Sequence, residues 1–387
     1  MIFRLIDGVS RLDSASWQGM VSERDSPFLE HHWLSAFEDS GAISPGEGWQ
    51  PLHLVGFDRE SDAESLSSPR YALPLYIKSH SWGEFVFDFA WADVASQLGQ
   101  EYYPKAVGVV PATPVTAYRD INPAGDPQLL GMALEYLEKT LPAMGIRSLS
   151  FLFTEDDFAE RLEPLGYHRW VHQGFVWARD EMEDFDAYLA RFRKNQRKNI
   201  RVERSSLEKQ ELTVRILRGE DLGSAEADDM FDLYEQTNDQ FGPWAAKFLN
   251  REFFQLAFQR CASQILLVSA EDSGGNCVGR SMLVFKDRRM YGRYWGSRGF
   301  HKHLHFNLCY YEPIDFCLRE GIDLFDPGMG GEHKIRRGFH GVEQYSMHKY
   351  FDPMMDRIFA ANIGQFNRQA RQIITSVNDS LPQKADN

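Results

Sequence analysis

The sequence predicts a two-domain α/β (α+β) chain in which each domain builds a mixed, mainly antiparallel sheet flanked by helices. Three observations predict it. The chain has 387 residues, more than the roughly 250–300 over which a single hydrophobic core extends. Hydrophobic residues make up 43% and charged residues 25% of it, ordinary values for a folded globular protein. One element order recurs in both halves: helices, three meandering strands, a helix, then a further strand. The expected limits are 1–180 for the first domain, 181–210 for a long basic connecting helix, 211–355 for the second domain, and 356–387 for a terminal helix and tail.

Residues 1–7 read as a strand. The apolar spacing of Phe28, Trp33, Leu34 and Phe37 predicts a helix over 27–40, closed by Gly41. Strands follow at 51–57 and 71–80, separated by a polar loop at 58–69. Alternation predicts another strand at 84–91, and a Pro- and Val-rich strand starts near 104. An amphipathic helix at 129–141, a strand at 147–153, a short helix at 156–166 and a strand at 171–180 complete the first half. The second half opens with the longest helix, 184–207, and a strand at 211–217. Helices at 225–240 and 250–263 precede three strands, 264–270, 277–285 and 289–297, whose short polar connections suit hairpins. A helix at 306–320, a strand at 322–326, a glycine-rich loop, a strand at 343–351 and a helix at 357–377 end the chain.

Composition excludes several classes. The formal charge of −14 argues against general DNA binding. No stretch approaches 18 apolar residues, so no membrane span is expected. The start carries no secretory pattern, and the four cysteines include no CxxC pair, so a cytoplasmic protein with free thiols is expected.

Seven stretches carry a family resemblance: PFLEHHWLSAFEDSGA (27–42), LPLYIKSHSWGEFVFDFAWAD (73–93), YYPKAVGVVPATPV (102–115), RKNQRKNIRVER (193–204), MYGRYWG (290–296), LHFNLCYY (304–311) and GGEHKIRRGF (330–339). Together they resemble a bacterial GNAT-like family related to the Fem-type peptidyltransferases, which carries the label peptidoglycan biosynthesis/recognition. The resemblance implies tandem GNAT-like (acyl-CoA N-acyltransferase) domains. It also implies an acyl- or aminoacyl-transferase acting on an amine, with a small-molecule or peptide acceptor and with acyl-CoA or aminoacyl-tRNA as donor. The loop with which GNAT enzymes cradle a pyrophosphate at a helix N-terminus is incomplete in GSRGFHKHLHF (296–306), which turns the expectation toward a donor bound in another way. Two further readings stand beside it: a binding module without catalysis for a peptide, cell-wall fragment or tRNA-like ligand, and a small-molecule N-acyltransferase.

The candidate residues fall in four groups. Lys194, Arg197, Lys198 and Arg201 recur at i, i+3, i+4 and i+7, on one helical face. Like charges so placed repel, and the face suits a phosphate or tRNA contact; the alternative is a solvated face. In the glycine-rich loop, Glu332 or His333 would take the proton of an attacking amine, and Lys334 and Arg337 would hold phosphate or carboxylate; the alternative is a capped turn. On the strand at 289–297, Tyr291, Arg293 and Trp295 are expected on one face and Tyr294, a candidate general acid, on the other; ordinary sheet packing is the alternative. His305 and Tyr310 follow on the next helix. His301, His303 and His305 have no nearby cysteine, and no metal site is assigned to them. In the first half, Lys78, His80, Trp82, Glu84, Asp88, Tyr103 and Lys105 form a polar and aromatic cluster. Its carboxylates either pair structurally or line a substrate pocket.

Overall fold

The structure is a computed structural model and describes residues 1–242 and 246–383. The first half runs β1 (Ile2–Ile6), α1 (Ser14–Gln18), α2 (His31–Asp39), β2 (Trp49–Pro51), β3 (His53–Phe57), α3 (Glu60–Ser65), β4 (Tyr71–Leu73), β5 (Tyr76–Lys78), α4 (Phe89–Gln97), β6 (Lys105–Gly108), α5 (Pro127–Ala143), β7 (Ser148–Thr154), α6 (Asp156–Leu162) and β8 (His168–Ala178). The second runs α7 (Phe185–Ala190), α8 (Lys194–Arg204), β9 (Thr213–Arg218), α9 (Ser224–Asp239), α10 (Arg251–Cys261), β10 (Ile265–Glu271), β11 (Cys277–Lys286), β12 (Arg289–Ser297), α11 (Leu304–Phe306), α12 (Glu312–Glu320), β13 (Leu324–Asp326), β14 (His340–Tyr350) and α13 (Pro353–Asp379). A single π turn, Asn307–Tyr311, links α11 to α12.

Two compact units form. The first joins Met1–His172 to Glu343–Arg371, and the second joins Gln173–Val342 to the residues from Gln372 onward. Each has a mixed, mainly antiparallel sheet flanked by helices, as the sequence predicts. In the first unit, β5 and β6 are antiparallel, β6 and β7 are parallel, and β14 closes antiparallel on β7. In the second, β9 to β12 form an antiparallel meander, β12 and β13 are parallel, and β8 closes antiparallel on β13. The closing strand of each sheet therefore comes from a distant part of the chain. The core of the second unit gathers Leu283 and Met290 of the sheet with Leu308, Tyr311, Ile314 and Phe339.

Several local expectations change. The loop expected over 58–69 carries α3, and the strands expected over 51–57 and 71–80 each divide in two, into β2 and β3 and into β4 and β5. Residues 84–91 are not a strand: a loop runs to Asp88, and α4 starts at Phe89. Its alternation is inverted, with Phe87 and Phe89 exposed and Glu84 and Asp88 buried, because both acids meet the Lys105 ammonium. The long basic helix expected over 181–210 is two helices. Asp184 caps the first through Ala187 N at 2.7 Å. Phe192, fully buried, breaks the run, and extended Arg193 restarts it.

Candidate functional site

The second unit collects most of the candidates. The ladder between parallel β12 and β13 covers three residues of each strand and ends at the pair Tyr291 and Asp326. Beyond it, Pro327 turns in toward Gly292, where a Cβ would stand 3.2 Å from the Pro327 carbonyl oxygen. The two strands then part, and the Gly-rich loop, closed by the turn Glu332–Arg337, continues from β13.

Around that turn sits a nest of rings. Trp295 and His305 have centroids 4.7 Å apart, His305 and Tyr310 5.3 Å, and His305 and His333 5.7 Å. Tyr310 Oη and His333 Nε2 share a hydrogen bond of 2.9 Å. The π turn places Tyr310 there by adding a residue to the helix, a feature frequent at functional sites. Burial, with the Arg337 and Lys334 charges, pushes the His333 imidazole down to about 4. Burial, with His333, Arg337 and Lys334, pushes His305 down to about 3. Both rings are neutral near pH 7, and burial holds the Tyr310 phenol protonated. Gly331, at φ +86°, is needed for this packing, since a Cβ there would lie 2.5 Å from His333 Cε1.

The expected catalytic trio is not assembled. Arg293 forms a bulge: Gly292 opposes Leu283, and Tyr294 opposes Met282. The extra residue reverses the alternation, so Tyr291 and Tyr294 share one face and Trp295 takes the other. This corrects the expected grouping of Tyr291, Arg293 and Trp295. Tyr294 packs edge-on against Tyr234, Phe253 and Phe254 of α9 and α10, away from the ring nest. Arg293 sits over the Tyr294 ring at 5.0 Å. Glu332 is exposed and has no polar partner among the described residues. Lys334 is occupied within the loop, donating to the Gly328 and Met329 carbonyls at 2.6 and 3.2 Å; burial lowers it to about 8. The three histidines diverge: His301 bonds the Arg298 carbonyl, His303 stacks on Phe306, and His305 meets Trp295.

Arg337, expected to meet ligand, is also held by the protein. Its Nη2 donates to Glu203 Oε2 at 2.6 Å and its Nη1 to the His333 carbonyl at 2.7 Å. Its guanidinium lies 3.4 Å from the Phe306 ring centroid. Tyr311 Oη donates to the same Glu203 oxygen. Glu203, Tyr311 and Phe306 were not among the sequence candidates; the only signal for Glu203 was a lone acid in a basic run. On α8, Lys194, Lys198 and Arg201 are exposed and Arg197 is half-buried, and none of the four makes an ion pair with the described residues. A shallow cavity of about 580 Å³ beside the start of this helix is lined by Arg193, Lys194, Asn199 and Asp379, among others.

The first unit brings its candidates together around Lys105. The ammonium donates to Glu84 Oε2 at 2.7 Å, to Ser81 Oγ at 2.8 Å and to Asp88 Oδ2. Tyr102 Oη donates to Asp88 Oδ2 at 2.8 Å, and Tyr103 Oη shares a hydrogen bond with Ser81 Oγ. Glu84 Oε1 and Asp88 Oδ1 are buried without a hydrogen-bond partner among the described residues. Burial raises Glu84 to about 7 against the pull of Lys105. For Asp88, burial is outweighed by Lys105 and the hydroxyl hydrogen bonds, and its pKa falls. Lys78, buried against the Trp49 ring and bonded to the Trp82 carbonyl, is pushed down to about 7 by desolvation. His80 accepts from Trp82 N through Nδ1. Trp82 and Phe89 remain exposed, their centroids 5.8 Å apart.

Among the described residues no helix is long and apolar enough to cross a membrane. No curated protein matches the chain. Solved structures match across most of it at low identity. The crystal structure of FemX aligns with a TM-score of 0.56 and 11% identity, covering 93% of this chain and all of that one. A conserved protein of unknown function from Bacteroides thetaiotaomicron aligns with a TM-score of 0.54 and 10% identity, covering 90% and 99%. A tandem GNAT protein from the clavulanic acid biosynthesis pathway aligns with a TM-score of 0.45 and 10% identity, covering 91% and 99%. The FemAB-like family, described as peptidoglycan biosynthesis/recognition, matches residues 8–385. A family match over nearly the entire sequence, on a fold shared with FemX, means that this chain belongs to the FemAB-like family.

Proposed function

We propose that the protein transfers an acyl or aminoacyl group from an activated donor to an amine, with the Tyr310–His333 pair as proton acceptor. The observation that carries this reading is a neutral imidazole hydrogen-bonded to a protonated phenol, where β12 and β13 part. The amine nitrogen attacks the carbonyl carbon of an ester or thioester. A C–N bond forms and the C–O or C–S bond breaks. The amine proton passes to the imidazole of His333 and then to the leaving oxygen or sulfur. A neutral imidazole accepts that proton as the attacking nitrogen becomes acidic. Glu332, exposed at the head of the same turn, is a second acceptor for the same proton.

The cations of α8, unpaired among the described residues, favour a donor with an extended phosphodiester backbone, such as an aminoacyl-tRNA, over acyl-CoA, whose few phosphates are confined to its nucleotide end. The test incubates the purified protein with labelled aminoacyl-tRNA or acetyl-CoA and a panel of amines, including UDP-linked cell-wall precursors. Label transfer that falls about 100-fold or more in His333→Gln supports the reading. Unchanged turnover in that variant removes His333 from the reaction. A ligand that raises the melting temperature but is never turned over, with every donor supplied, favours the binding-module reading.

A further inference from the structure

Resting on the role given to His333, we propose that Arg337 is a positioning residue whose anchorage by Glu203 and Phe306 fixes the His333 ring against Tyr310. The sequence reading gives Arg337 a ligand contact and gives Glu203 no role. Arg337 is only 2% exposed, too enclosed to serve as a free anion contact. Its planar fork is divided between two jobs. One arm is fixed on Glu203, from the last turn of α8, and the other holds the His333 backbone oxygen. The guanidinium plane rests on Phe306, which itself touches the His333 ring at a centroid distance of 5.6 Å. Lysine offers one point charge in place of that fork and cannot satisfy both acceptors in the same geometry.

The anchor is braced from several sides. Tyr311 donates to the Glu203 oxygen that Arg337 uses. Tyr188 Oη bonds the Arg337 carbonyl at 3.0 Å, and Gln196 bonds the Arg336 carbonyl at 2.6 Å. Asn307 donates to the Glu203 carbonyl at 2.9 Å. Helices α7 and α8 and the π turn thus hold the two ends of one short 3-10 turn. Nothing in this network requires a ligand, yet each bond bears on where His333 stands. The Arg337 charge has a second effect: beside His333 and His305 it opposes their protonation.

The test follows the His333 imidazole by nitrogen and carbon NMR on the intact protein, without any substrate. In the parent protein His333 is expected to keep one tautomer and to stay neutral down to about pH 4. Arg337→Gln removes the neighbouring charge and the fork; the His333 midpoint is expected to rise by about one pH unit or more, with loss of the single tautomer. Arg337→Lys keeps a charge and loses the fork; the tautomer is expected to become mixed with a smaller change of midpoint. If Arg337→Gln fails to fold, Arg337→Lys and Glu203→Gln carry the test alone, since both leave a polar partner in the cavity. An unchanged midpoint and tautomer in every folded variant overturns the proposal. The two readings fail separately: loss of transfer activity for His333 leaves the anchorage standing, and an unmoved imidazole leaves the transfer reading standing.

Discussion

Lys105 Nζ and Glu84 Oε2 stand 2.7 Å apart with both side chains almost wholly enclosed. Asp88 shares the same ammonium. Two buried carboxylates on one cation make the cation indispensable. Lys105→Met is expected to cost about 3–5 kcal/mol, because it leaves the carboxylates buried without a countercharge. Urea denaturation measures this, and the triple variant Lys105→Met, Glu84→Gln, Asp88→Asn should recover much of the loss. A cost under about 1 kcal/mol in the single variant would mean that solvent reaches the acids.

The same cluster gives stability two opposite pH limbs. Glu84 has a folded pKa raised from 4.5 to about 7. Its contribution is full below about 4.5 and is lost as pH rises to 7, on the order of 3 kcal/mol. Lys78 has a folded pKa lowered from 10.5 to about 7. Its contribution is full above about 10.5 and is lost as pH falls to 7. Glu84→Gln should therefore alter the slope of unfolding free energy against pH chiefly between about 4.5 and 7. Lys78→Met should alter it chiefly between about 7 and 10.5. Denaturation series at half-unit pH steps read both, and slopes that match the parent in those windows contradict the assignment.

Behind this cluster a hydrogen-bonded chain runs from His172 Nε2 to Ser346 Oγ, from Ser346 Oγ to His348 Nε2, and from His348 Nδ1 to Ser150 Oγ, with links of 2.6, 2.7 and 2.9 Å. Burial pushes His348 down to about 3 and His172 to about 4. A base with a lowered folded pKa stabilises the fold above its unfolded value and loses that contribution as pH falls. His348→Gln should flatten the acid limb between about pH 6.5 and 3. An acid limb of parent steepness would show that His348 is already protonated in the fold.

Much of this architecture was legible. Apolar spacing located α2 and α5, and polar hairpin connections located the meander β10 to β12. The exchanged closing strands were not legible. β14 follows β13 in sequence, yet its residues Tyr345–Tyr350 pair with β7, and no local signal records a partner about 190 residues away. The Arg293 bulge was equally hidden, since alternation read from sequence assumes an unbroken ladder. At the site, the residue types around His333 were legible but their partners were not. Lys334 and Arg337 read as ligand contacts because charge is visible in sequence and burial is not.

Gly331 should be intolerant of any side chain. Its φ of +86° and the closeness of His333 both oppose a Cβ. Gly331→Ala is expected to cost about 1–3 kcal/mol in strain and to displace the His333 ring from Tyr310. Gly330→Ala is the control, since its added Cβ would meet nothing within 4 Å although it too has positive φ. Equal effects of the two substitutions on the His333 NMR signals would assign the loss to backbone strain alone.

The basic face of α8 separates stability from binding. Lys194, Lys198 and Arg201 are exposed and unpaired among the described residues, so changing all three to Gln should shift stability by no more than about 0.5 kcal/mol at each site. Relief of their mutual repulsion makes a small gain the more natural sign. If the face meets phosphodiesters, the triple variant should bind bulk tRNA more weakly. The slope of log affinity against log salt should shrink by roughly 2–3. Fluorescence anisotropy over a salt series reads that slope. A weaker affinity with an unchanged slope would place the phosphate contacts elsewhere on the protein, and an unchanged affinity would make this face a solvated one.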